Sequence, residues 1–253
     1  MAISATLGSA ASTTAAAASK ALGAFTLTVG QNVYVFVGLD STATAVTSIT
    51  DTKGNTYSFV GAKDGTGVRI ECWKSVSVGA QAGNIITINV SPNSNIAGAA
   101  EEYAGVSAEG NTANDAVASD ANPVLGDDAQ DGNNYVAFGV AFPCQSGDTL
   151  TALLGTERQK SIPAATAVGV ALYDVTSVSN ETMRALARIS AARGWAAFAL
   201  ELRSGGGDNL PGGYPVGDAP ALNGDKDTKY LNVKWPLGGG EGSGGGGAWP
   251  FVS

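Results

Sequence analysis

Apolar and polar residues alternate in short runs from Phe25 onward, and a period of two is the signature of strands with one face buried. The pattern predicts strands at 25–29, 33–39, 46–51, 56–60, 68–76, 85–90 and 96–106. Glycine, asparagine, aspartate and proline punctuate them, as turns require. The polar, acidic stretch SAEGNTANDAVASDANPVLGDDAQDGNN then reads as a separator. A second series follows it at 135–142, 149–157, 168–175, 181–190 and 195–202, although TMRALARIS within 181–190 also fits a short helix.

The two series look like versions of one pattern. NVYVFVGL matches NYVAFGVAF, SITDTKGNTYSFV lies where TALLGTERQKSI recurs, VRIECWKSV matches VGVALYDVTS, and IAGAAEEYAGV matches GWAAFALELRS. An offset of about a hundred residues points to duplication of a five-strand unit, with chance alignment of alternating strands as the competing explanation. Either way, about ten strands suffice for two face-to-face sheets.

The ends of the chain have a different character. Residues 1–24 include an Ala/Ser/Thr-rich stretch in which helix-forming alanines compete with strand-favouring threonines. The segment reads as an N-terminal arm or edge segment. Residues 25–204 form the expected β-sandwich body. From Gly205 to Ser253 no core periodicity continues; Tyr214, Tyr230, Trp235, Trp249 and Phe251 recur between glycines like anchors on a string. Such a composition suits a disordered tail, or an extended arm whose rings dock elsewhere.

Composition narrows the chemistry. The chain has 253 residues, 44% hydrophobic, with 35 glycines and few aromatics, favouring short strands over long amphipathic helices. With 22 acidic against 14 basic residues its surface should repel phosphate backbones, so nucleic acid is not an expected partner. The absence of histidine removes the usual general base and the commonest transition-metal ligand together. Cys72 and Cys144 could pair, but buried free thiols are the better expectation. The N-terminal stretch lacks a basic n-region and a continuous apolar run, so neither a signal peptide nor a membrane span is expected.

In ITDTKGNTYSFVG, Asp51 suits the first position of a type I turn and Gly54 the positive φ of a bulged hairpin, with Asn55 starting the return strand. A metal site would need more convergent oxygens than Asp51 and Asn55, so a corner is expected. The best calcium candidate is DDAQDGNN, with Asp127, Asp131, Asn133 and Asn134. Ala129 and Phe138 occupy two places where an EF-hand loop needs ligands, which favours a solvated loop. Glu101 and Glu102 are adjacent and would point to opposite faces of a strand; they and Glu201, which matches Glu102, are expected at strand edges or solvent faces. Tyr57, Trp73, Tyr103, Tyr173 and Trp195 could stack on a sugar, but rings within alternating strands favour the core. No hydroxyl or thiol has a visible activating base, and the glycines of the tail lack a phosphate-loop ending. The expectation is no enzyme, no catalytic residue, no metal and no cofactor.

The order VYVFVGL, SITDTKGNTYSFVG, VRIECWKSV, NIITINVS and IAGAAEEYAGV, then NNYVAFGVAF and GWAAFALELRS, resembles jelly-roll-type β-sandwich proteins of tailed-bacteriophage virions, also met in bacterial surface proteins. The D-x-x-G-N-T-Y corner and the later E-Y-A-G-V carry most of the likeness, which spans Phe25 to Ser204. It implies an all-β, jelly-roll-like two-sheet sandwich. It also implies a virion structural role, such as a capsid decoration or cement protein assembled in the host cytoplasm. The expected partners are then the major capsid protein or other virion proteins, in a homo-oligomer for which a trimer is the guess, without nucleic acid or membrane. Tyr214, Tyr230, Trp235, Trp249 and Phe251 would anchor the arm. The competing class is a carbohydrate- or host-surface-binding module of a tail fibre or bacterial adhesin.

Overall fold

The computed structural model describes residues 3–77, 81–123, 135–176 and 187–204. Seventeen strands run through them. The first ten are β1 (Ser4–Ser12), β2 (Ala17–Ala21), β3 (Phe25–Leu27), β4 (Asn32–Leu39), β5 (Ala45–Asp51), β6 (Ser58–Gly65), β7 (Val68–Val76), β8 (Gln81–Asn84), β9 (Ile86–Ser94) and β10 (Ile96–Ala104). The remainder are β11 (Val106–Asp120), β12 (Tyr135–Cys144), β13 (Leu150–Ala152), β14 (Thr156–Ser161), β15 (Ala167–Thr176), β16 (Ala187–Ile189) and β17 (Arg193–Ser204).

The protein is an all-β sandwich, and its topology repeats. One five-stranded antiparallel sheet has the order β1-β10-β4-β7-β6, the other β11-β17-β12-β15-β14. Aligning β4 with β12 aligns every neighbour. Val33 lies between Glu102 and Ser75, and Val136 between Glu201 and Val175. The smaller sheets repeat the theme, β5 pairing β9 in one half and β13 pairing β16 in the other. Shared order and register are what duplication of a five-strand unit leaves behind.

Three cores hold four layers. The large sheets face one another through Tyr34, Phe36, Ile70, Leu172, Phe198 and Leu200 among others. The opposite face of the first sheet packs Val33, Val35 and Val37 onto Ile86, Ile88 and Ile49 of the smaller β2-β9-β5 sheet. The second sheet likewise packs Phe138, Tyr173 and Trp195 onto Leu150 and Ile189. Central strands are therefore covered on both faces, which is why β4, β10, β12 and β17 read as nearly continuous apolar runs.

Close approach of the large sheets is built on size complementarity between equivalent positions. Phe36 stands three residues after Val33 and Gly139 three after Val136, so they correspond, yet the ring of Phe36 occupies the space that a Cβ on Gly139 would need, 2.3 Å away. One half supplies the ring and the other the hollow.

Several strands add to the sequence expectations or depart from them. Residues 106–120, expected within a separator, form edge strand β11, paired with β17. Strands β1 and β2 use the Ala/Ser/Thr-rich N-terminal stretch as sheet edges. Edge strands bury little, so their sequences carry a weak apolar rhythm. The run expected as one strand at 149–157 is two, β13 and β14, separated by a turn in which Gly155 has φ 89°. Of 181–190, only the part from Ala187 lies within the described residues, and Ala187–Ile189 is strand.

Candidate functional site

The Asp51 corner is a structural hub. Oδ1 accepts hydrogen bonds from the backbone N–H groups of Lys53 (2.9 Å) and Asn55 (3.0 Å). Oδ2 accepts from Asn55 Nδ2 (2.7 Å), Tyr57 Oη (3.0 Å) and Asn84 Nδ2 (3.2 Å). Gly54 takes the expected positive φ, 79°. The corner is not a hairpin, however. β5 pairs with β9 and β6 with β7, so the turn carries the chain from the outer layer to the large sheet, and Tyr57 is buried between them. Every oxygen of Asp51 is occupied by a donor of the fold, leaving no ligand set for a cation.

The glutamates are buried rather than at solvent faces. Glu101 and Glu102 point to opposite faces, as alternation requires, but both faces of β10 are covered. Glu102 accepts from Thr6 Oγ1 (2.8 Å) and from Thr28 N (2.6 Å), tying β1 and the approach to β4 together. Its counterpart Glu201 accepts from Asn111 N of β11 (2.9 Å) and pairs with Arg203 (2.9 Å). Each half thus uses a buried glutamate to hold its edge strand. Charges unsatisfied inside would cost several kcal/mol, about 3–5 when a partner is missing, which is why each carboxylate has one.

A second polar cluster lies between the halves. Glu101 accepts from Gln159 Nε2 (2.9 Å), and Asp174 pairs with Arg158 (2.6 Å). Burial pushes both carboxyls above their ordinary range; Gln159 and Arg158 only partly offset this for Glu101, as Arg158 does for Asp174. Nearby, Glu109 joins β11 to the first sheet through Tyr34 Oη (2.8 Å) and Lys74 Nζ (2.6 Å). Burial opposes ionisation of Glu109, but these donors hold its carboxyl below the usual range. Among the described residues no group of three or more His, Cys, Asp or Glu side chains converges as metal ligands would.

Of the candidate sugar-stacking rings, Tyr57, Tyr103, Tyr173 and Trp195 are core. Trp73 is half-buried, its Nε1 donating to Glu71 (2.9 Å), and it meets the exposed ring of Phe59 edge to face with centroids 5.6 Å apart. Asp127, Asp131, Asn133 and Asn134 lie outside the described residues, as do the arm anchors Tyr214, Tyr230, Trp235, Trp249 and Phe251. Cys72 and Cys144 are buried and unpaired.

One end of the body collects what sequence reasoning missed. The large sheets share ends: Tyr103 meets Tyr135, and Asn32 Nδ2 donates to Val106 O (3.1 Å), at the end where β17 finishes at Ser204. All the exposed large apolar residues belong to this end among the described residues: Leu7, Val29, Phe59, Val76, Leu153 and Leu154. The register explains it. Val76 pairs with Asn32, which pairs with Tyr103; Leu7 adjoins Gly8, partner of Glu101; Leu153 and Leu154 precede Thr156, partner of Asp174. Beside Val76 a groove of about 320 Å³ is lined by Asn32, Thr56, Ser58, Lys74 and Ser75. Ser75 Oγ is buried in it without a hydrogen-bond partner among the described residues. The legible signal was Leu153-Leu154, standing where the first copy has Thr52-Lys53.

Comparison with family models, with curated proteins and with solved structures found no match.

Proposed function

We propose that this chain is a non-enzymatic structural protein of a tailed-phage virion, a decoration or cement protein that binds the capsid through its sandwich body and C-terminal arm. The carrying observation is that the buried carboxylates Glu71, Glu101, Glu102, Asp174 and Glu201 are each engaged by donors of the fold itself. Chemistry-bearing groups are thereby committed to holding strands and halves together, which suits a scaffold rather than a catalyst. The virion setting rests on the strand-sequence resemblance. The partner is then the major capsid protein or another virion protein, contacted by Tyr214, Tyr230, Trp235, Trp249 and Phe251, with a homo-oligomer, guessed to be a trimer, giving several linked contacts. Localisation of labelled protein on purified particles tests this: many regularly placed copies on the head support it, and absence from particles refutes it.

A carbohydrate-binding module is favoured by one observation, the exposed ring of Phe59 against the half-buried Trp73. Under that reading Trp73→Ala abolishes binding on a glycan array without unfolding the protein.

A further inference from the structure

We propose that the segment 205–253 docks in cis on the apolar end of the body, its rings covering Leu153, Leu154, Val76 and the adjoining groove. Three observations carry this. First, the exposed large apolar residues lie at one end, Leu7, Leu153 and Leu154 on its β1–β14 side and Val76 and Phe59 on its β6–β7 side, which a segment carrying several spaced rings can cover. Second, the chain leaves the body at that same end, after Ser204. Third, the segment that follows is poor in aliphatic residues yet carries Tyr214, Tyr230, Trp235, Trp249 and Phe251 between glycines.

The dimensions agree. Five strands at about 4.8 Å spacing make the end about 20 Å wide, and four layers at about 10 Å spacing make it about 30 Å deep. Tyr214 stands ten residues beyond Ser204, a reach of about 33 Å when extended, so it spans the whole end. A tether this short holds the rings at an effective concentration of about millimolar, so weak ring-to-leucine contacts suffice.

The groove suits an amphipathic ring. Val76 offers an apolar wall, while the exposed hydroxyls of Thr56 and Ser58 offer hydrogen bonds to a tyrosine O–H or an indole N–H. Duplication supplies an internal comparison: the equivalent corner of the first half presents Thr52 and Lys53 to solvent, whereas the second presents Leu153, half exposed, and Leu154. The inference concerns the free protein and does not depend on the virion reading.

The test uses the full chain and two variants. In one, Tyr214, Tyr230, Trp235, Trp249 and Phe251 are all replaced by serine; in the other, Leu153→Ser and Leu154→Ser are combined. The ring variant should bind an apolar dye such as ANS at least about twofold more brightly than wild type, as an uncovered apolar end would. The leucine variant should make tryptophan fluorescence more quenchable by acrylamide, because Trp235 and Trp249 lose their seat while Trp73 and Trp195 stay in place. Unchanged dye binding and unchanged quenching together overturn the proposal. So does protection that grows with protein concentration, which would assign the rings to a second copy.

Discussion

Asp51→Asn probes the hub that joins the outer layer to the large sheet. An asparagine keeps the shape but offers one oxygen, and its NH₂ must face either the two backbone donors at Oδ1 or the three side-chain donors at Oδ2. At least two charge-assisted hydrogen bonds are lost. Each is worth about 1.5–3 kcal/mol, and a donor left unpaired in the interior costs about 1–3. Lys53 is exposed and its N–H can turn to water, which lowers the sum. The expected destabilisation is about 2–3 kcal/mol, a fall in Tm of about 4–12 °C for a chain of this size. The fold itself should persist, because the second half makes its corner with Ala152 in the same place and a positive-φ Gly155.

The pH dependence sharpens the test. Burial alone would raise the Asp51 carboxyl, but hydrogen bonds from the Asn55 side chain and backbone, the Lys53 backbone and Tyr57 outweigh it and hold it below its ordinary value. A carboxyl depressed by folding contributes fully above its unfolded pKa, about 3.9, and loses that contribution as pH falls through the folded value. The gap between wild type and Asp51→Asn should therefore be widest at neutral pH and should close in acid. Thermal unfolding by circular dichroism at neutral and acidic pH measures it, with Lys53→Ala as the control for surface charge. A loss under about 1 kcal/mol at neutral pH, or an equal loss in acid, refutes the hub account.

Three other outcomes follow from the interface and the core. Gly139→Val should destabilise by about 2–3 kcal/mol in denaturant unfolding, since the added side chain meets the Phe36 ring with no room to yield. Glu101→Gln should be neutral or stabilising by about 1 kcal/mol at neutral pH, because it removes a buried charge while keeping an acceptor for Gln159. A carboxyl raised by folding costs stability as pH rises through that range, so any gain should vanish in acid, where wild-type Glu101 is protonated; a loss at neutral pH would show that the charge is needed. Cys72 and Cys144 should resist a thiol reagent in the native protein and both react once it is unfolded, burial pushing each thiol up; rapid native labelling would contradict the core assignment.

Central strands were legible and the small-residue edge strands β1, β2 and β11 were not, for one reason. Val33–Leu39 and Val68–Val76 bury apolar rows and announce themselves by composition, whereas β1, β2 and β11 contribute mainly hydrogen bonds and read as small polar residues. Period alone misplaced Glu102 and Glu201, since alternation predicts an outer face but cannot show that a further sheet covers it. The Asp51 corner was legible as a turn, because its residue types serve the backbone, yet its partner Asn84 lies far along the chain. The apolar end was overlooked because Leu153 and Leu154 lie inside a run read as one strand, 149–157, and are exposed by the turn at Gly155 that divides it.

Duplication explains why the two halves differ where they meet. Two identical units packed back to back would place like on like, and two phenylalanines facing across the axis would hold the sheets apart. Within one chain each position can change separately, so Phe36 could keep its ring while its equivalent became Gly139. Complementarity of this kind makes the halves mutually dependent: alone, the first would expose Tyr34, Phe36 and Ile70, and the second Phe198 and Leu200. Freedom to diverge also extends to the outer corners, where one half invests five hydrogen bonds in Asp51 and the other presents leucines. The first corner thus adds polar cohesion to the apolar core between its layers, whereas the second corner is released to form a surface.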